Sequence, residues 1–194
     1  REALEKRLRQ LMEVPTISAP GMYGGRYFYS RREGGQPQAV HYVRDSLDGR
    51  DRVLLDPQAI DPTGLTTVAW TAPSNDGKLM AFGIYRSGDE NSVLYVMDVD
   101  SGDWLAEEIP GKVGLLRWLE DNSGFYYRSL EDLDDPYSYT VRLHRLGPHH
   151  RQDRLLFRQR DLDFFYGGTD KSEEELELLK TTWGPGAMVS RDGR

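Results

Sequence analysis

The sequence has no cysteine. That excludes disulfide staples, cysteine-ligated zinc and a thiolate nucleophile. No apolar run approaches the roughly 20 residues that a helix needs to cross a bilayer, so no membrane partner is expected. Basic surplus is missing too: 25 Lys and Arg against 32 Asp and Glu leave a net charge of −7. A protein that neutralises a phosphate backbone needs the opposite balance, so nucleic acid is not expected as a partner either. The one basic stretch, Arg142–Arg160, is broken by Asp153 and apolar residues. No signal peptide is expected from the charged, amphipathic opening. A thiol-free chain fits a reducing compartment, and a cytoplasmic location is the expectation.

What is present is a chain of 194 residues, 38% of them hydrophobic, with 11 Tyr, 6 Phe and 4 Trp to build cores. Leu4, Leu8, Leu11 and Met12 fall on one face at helical spacing. Glu2–Lys6 and Glu5–Arg9 add i,i+4 pairs with the acid first, and Pro15 ends the run. A helix over 1–14 packed on its own protein is expected, because its polar face is mixed in charge rather than basic.

Beyond Pro20 the grammar changes to short strands punctuated by turn residues. Arg26–Arg31 and Ala39–Arg44 flank Glu33-Gly34-Gly35 as a hairpin, and Asp51–Asp56 makes a third strand. Strand and turn signals then recur along the chain. The turn glycines Gly25, Gly77, Gly124 and Gly193 are separated by 52, 47 and 69 residues. Four-stranded propeller blades repeat at about 40–50 residues, so the last interval holds an insertion. In that insertion Ser172-Glu173-Glu174-Glu175 spells a capping box, with three acids in the first turn, and predicts a helix from about Glu173 to Lys180.

The fold class that follows is all-β with minor helix. It is a partial β-propeller of about three four-stranded blades plus the start of a fourth. The blades are placed over about 21–58, 65–110 and 113–160, the insertion over 161–182 and the next blade from 183–194. Three blades do not close a ring. Each broken end is therefore expected to show an apolar blade face, with unpaired strand edges open to self-association.

Residues able to do chemistry are present without the spacing chemistry needs. The chain has four His. His149-His150 with Asp153 suggests a metal cluster but lacks a third spaced ligand, and no metal or other cofactor is expected. His41 and His144 sit in strands beside Tyr and Arg and read as surface positions. Asp132, Asp134 and Asp135 precede Pro136 as a polar loop rather than a pair of acids across a cleft. Gly167-Gly168-Thr169-Asp170 lacks the lysine of a phosphate loop. No serine sits in a G-x-S-x-G elbow, so no catalytic residue is assigned.

Several segments, in order, resemble the prolyl oligopeptidase family. Gly25-Arg26-Tyr27-Phe28-Tyr29-Ser30-Arg31-Arg32-Glu33-Gly34 and Val53-Leu54-Leu55-Asp56-Pro57 resemble its first blade. Ser74-Asn75-Asp76-Gly77-Lys78-Leu79-Met80-Ala81-Phe82-Gly83 is similar to its S-P-D-G-K-x-x-A-Y-G stretch. Trp118–Tyr127, His144–Gly147 and Trp183–Arg194 continue the series. The resemblance implies a serine peptidase with a seven-bladed propeller and a C-terminal α/β-hydrolase domain that holds the Ser, Asp and His. The propeller would cap that site and admit short peptides. By the same resemblance Tyr126 faces the bound peptide, and Trp183 and Gly184 belong to a neighbouring substrate-side loop. A non-catalytic binding propeller is the alternative; so is the propeller of a related peptidase of the oligopeptidase B or acylaminoacyl peptidase type. WD repeats are not indicated, since no Trp-Asp dipeptide occurs.

Overall fold

The structure is a computed structural model that describes residues 1–161 and 170–181. Helix α1 (Glu2–Met12) leads into a first sheet of β1 (Thr16–Ile17), β2 (Gly21–Tyr23), β3 (Arg26–Arg32), β4 (Val40–Arg44) and β5 (Arg52–Leu55). A short helix α2 (Pro57–Ile60) follows, started by the Asp56 carboxylate accepting from Gln58 N and by proline in its first turn. The second sheet is β6 (Thr66–Pro73), β7 (Leu79–Arg86), β8 (Val93–Asp98) and β9 (Trp104–Ile109). The third is β10 (Gly114–Trp118), β11 (Gly124–Leu130), β12 (Tyr139–Arg145) and β13 (Arg154–Arg158). Helix α3 (Glu173–Lys180) carries the complete capping box between Ser172 and Glu175. Every strand pair is antiparallel and each sheet is a meander, the form of a propeller blade.

The first blade begins earlier than residue 21. β4 occupies one edge of β3, and β1 and β2 share the other edge end to end. The register slips by one residue across Ser18–Pro20: Thr16 faces Arg32, whereas Gly21 faces Phe28. Ser18 holds the bulge closed, its N–H donating to Ser30 O at 2.9 Å and its Oγ accepting from Ser30 N at 2.9 Å. Two fragments of two and three residues around a proline carry too little alternation to be read as strands from sequence.

The blades bury apolar layers between them. Phe28, Val43 and Leu55 of the first meet Met80, Phe82 and Met97 of the second. Ala81, Leu94 and Ile109 of the second meet Trp118, Phe125 and Tyr127 of the third. β7 thus lies between two neighbours, with Met80, Phe82 and Ile84 turned one way and Ala81 the other. That explains its unbroken apolar run. Gly83, on the Ala81 side, leaves room for the Trp70 indole, which would lie 2.3 Å from an added Cβ.

The turns opening each blade are tied together. Arg26 donates to Gly77 O at 3.2 Å and pairs with Asp100 at 2.6 Å. Asn75 N donates to Asn122 Oδ1 at 2.9 Å, and Asn75 Nδ2 donates to Leu119 O at 2.7 Å. Gly24, Gly25 and Gly77 supply left-handed backbone in the first two turns, but in the third Asn122 takes that conformation, at φ 57°. Gly124 is needed for space instead, because a Cβ there would lie 2.1 Å from His144 O.

One expectation is refined and another corrected. The outer face of the first blade does expose apolar residues, Ile17 and Val53, as expected, but its aromatic rings are not bare. Tyr29 stacks on Tyr42 with ring centroids 5.6 Å apart, and Arg31 lies 4.6 Å over the Tyr42 ring. Arg44 lies over Tyr29, and the Asp51 carboxylate joins Arg31 to Arg44. Paired charges over aromatic faces cover the rings while remaining hydrated at their rims. Helix α1, in turn, is not packed on the blades: Leu8 is 52% and Met12 67% exposed. Arg32 holds its end by donating to Met12 O at 2.8 Å and Val14 O at 3.0 Å.

The Asp51 cluster has a pH signature. The Arg44 guanidinium, hydrogen-bonded to Asp51 and seconded by Arg31, holds the Asp51 carboxyl down to about 2. A depressed carboxylate stabilises the fold above its unfolded value, and that contribution is lost as pH falls toward the folded one. Asp51→Asn is therefore expected to lower stability at neutral pH and to flatten the acid side of the profile between about pH 4 and pH 2. Urea titrations across that range check it; an unchanged acid slope contradicts it.

Candidate functional site

The sequence singled out Tyr126, Trp183 and Gly184. Tyr126 is half-buried on β11, opposite Arg117 on β10 and Leu143 on β12. Its neighbours Phe125 and Tyr127 point into the second blade, so strand alternation turns Tyr126 the other way. Trp183 and Gly184 lie outside the described residues, as does Gly193. Clefts open between the blades among the described residues. One, of about 220 Å³ between the first and second, is lined in part by Ser18, Ser30, His41 and Thr71. Another, of about 290 Å³ between the second and third, is lined in part by Trp70, Tyr85, Lys112, Arg128 and Tyr139. Tyr126 lines neither.

His144 corrects its reading as a surface residue. It is 1% exposed, and its Nδ1 lies 2.8 and 3.0 Å from the two Asp153 carboxylate oxygens. Tyr127 Oη donates to the same carboxylate at 2.8 Å. Burial first, and then Asp153, push the Tyr127 phenol well above its usual range, so it stays protonated and donating. The sequence hid this network because the side of β12 turned to the second blade reads Thr140, Arg142, His144. Its apolar residues, Val141 and Leu143, sit on the opposite face with Tyr126. Asp153 is thereby engaged by His144 and Tyr127. The His149 and His150 rings lie 4.2 Å apart, and the His149 ring accepts from Arg151 N. Among the described residues no group of three or more His, Asp or Glu is placed to hold a metal.

An Asp–His pair can orient a general base, but here it serves no nucleophile. Among the described residues no serine or threonine hydroxyl is hydrogen-bonded to a histidine. The described residues therefore offer packing faces and clefts, without an assembled hydrolytic triad.

Comparison with known proteins agrees with this architecture. The sequence model of the prolyl oligopeptidase N-terminal beta-propeller domain matches residues 1–179. The prolyl endopeptidase of Elizabethkingia meningoseptica is 30% identical over 166 residues, which span 80% of this chain and 23% of that protein. Prolyl oligopeptidase A of Galerina marginata is 27% identical over 210 residues, spanning 91% of this chain and 28% of that protein. A solved structure from work on two prolyl endopeptidases superimposes with a TM-score of 0.74 at 34% identity, covering 81% of this chain and 24% of that one. The chain thus spans about a quarter of the length of these relatives. On the family match and the three meander sheets together, this chain belongs to the prolyl oligopeptidase family and forms part of its N-terminal β-propeller.

Proposed function

We propose that this chain is the propeller segment of a serine-type endopeptidase that hydrolyses short peptides, cutting after proline. The segment is not catalytic by itself. Its partner is a C-terminal α/β-hydrolase domain of the same parent chain, in which a serine attacks the peptide carbonyl, a histidine takes its proton and an aspartate orients the histidine. The blades restrict entry to that site. The observation that carries the reading is the succession of three antiparallel sheets, one of five strands and two of four, across a chain matched by the family's propeller domain.

Within this reading Tyr126, Trp183 and Gly184 contact the peptide from the propeller side, and the protein works in the cytoplasm without a metal or other cofactor. The outer strands β5, β9 and β13 are edges through which an isolated segment would self-associate. The full-length protein is expected to cleave a Z-Gly-Pro reporter and to leave reporters with basic or N-acylated residues uncut. Cleavage of the basic or acylated reporter instead would assign the oligopeptidase B or acylaminoacyl peptidase type. Cleavage of none would favour a binding propeller.

A further inference from the structure

The seam between the second and third blades contains two buried polar atoms left without a partner, His144 Nε2 and Glu107 Oε2. They come from opposite sides of the seam. Glu107, 7% exposed, shares the face of β9 that carries Leu105 and Ile109, both packed in the cluster shared with the third blade. The His144 ring packs on Phe125 of the same cluster, with centroids 5.1 Å apart. The two elements already touch, because Glu107 Oε1 accepts from Gly147 N at 2.8 Å, three residues beyond His144. An orphaned carboxylate oxygen and an orphaned imidazole nitrogen in one buried seam are each costly, and they are complementary once a single proton lies between them.

We infer that His144 Nε2 and Glu107 Oε2 share one proton, through at most one buried water, and so form an interblade latch that holds only in a middle range of pH. The chain of bonds is complete with that single proton. Tyr127 Oη and His144 Nδ1 both donate to Asp153, and Gly147 N donates to Glu107. Removing the shared proton sets an imidazole lone pair against a carboxylate. Adding a second sets a donor against a donor. Either change uncouples the blades.

The other charged groups facing this point are few. Asp153 stands at the head of β13 and Tyr127 on β11. Arg142 on β12 is close enough to act on Tyr127, and His150 in the turn before Asp153 feels both Asp153 and the Glu108 backbone. None of them supplies a hydrogen bond to either orphaned atom.

The test is hydrogen–deuterium exchange of the full-length protein, read on peptides covering β9 and 144–150 and corrected for intrinsic rates. Wild-type protection is expected to pass through a maximum and fall on both sides. Glu107→Gln should keep it and remove the alkaline fall, since the amide oxygen still accepts from Gly147 and the amide N–H now donates to His144. His144→Asn, which retains a donor toward Asp153 and deletes the Nε2 arm, should lower protection at least about tenfold. Adding Glu107→Gln to that variant should change protection less than about threefold, because the shared proton is already gone. The inference is overturned if Glu107→Gln alone costs as much as His144→Asn, or if wild-type protection is flat with pH. None of these outcomes depends on peptidase activity.

Discussion

Gly24→Ala is expected to destabilise the propeller by about 2–4 kcal/mol, whereas Gly25→Ala next to it should cost only about 1 kcal/mol. Both glycines are left-handed, at φ 56° and 82°. That conformation costs alanine roughly 1 kcal/mol. What separates them is space. A Cβ on Gly24 would lie 1.9 Å from Asp76 O in the turn of the next blade, whereas one on Gly25 meets nothing within 4 Å. Backbone on both sides leaves no flexible side chain to give way, so the seam itself must open. Urea unfolding of the two variants side by side measures the difference. Equal losses would mean that the turns do not hold the blades together.

Trp118→Ala carries the second large effect, about 3–5 kcal/mol from the cavity alone. Trp118 is 4% exposed and meets Phe125 edge-on at 5.1 Å. Its Nε1 donates to Ala72 O of the neighbouring blade at 2.9 Å, so truncation also strips a half-buried carbonyl of its partner. Trp118→Phe should recover most of the packing and still lose about 1 kcal/mol for the missing donor. Trp104, 40% exposed on β9, is the control, and its alanine variant should cost clearly less. If the two tryptophans proved equivalent, the apolar layer between the second and third blades would not be the core that holds them.

The elements legible in the sequence were those whose signal is local. The capping box at Ser172 and the repeated strand-turn-strand units at Gly77 and Gly124 are cases where neighbouring residues decide the outcome. The misses are positions decided by distant chain. β1 and β2 exist because β3 offers them a free edge, which the short stretch Thr16–Tyr23 around Pro20 does not announce. α1 showed its amphipathic face correctly, but its period says nothing about what covers that face. On the candidate site, Tyr126 could be placed on a strand, yet its face was settled only by the pairing with Arg117 and Leu143. The buried Tyr127–Asp153–His144 network escaped because polar residues on a β-strand ordinarily mark the wet face. Here hydrogen bonds across three strands make burial of that face tolerable.

The central claim, that these blades form part of an oligopeptidase propeller and hold none of its hydrolytic chemistry, is tested most directly by one assay. The 194-residue chain and the full-length protein containing it are each purified and given a Z-Gly-Pro reporter. The account predicts hydrolysis by the full-length protein and none by the chain alone. Turnover by the chain alone would contradict it.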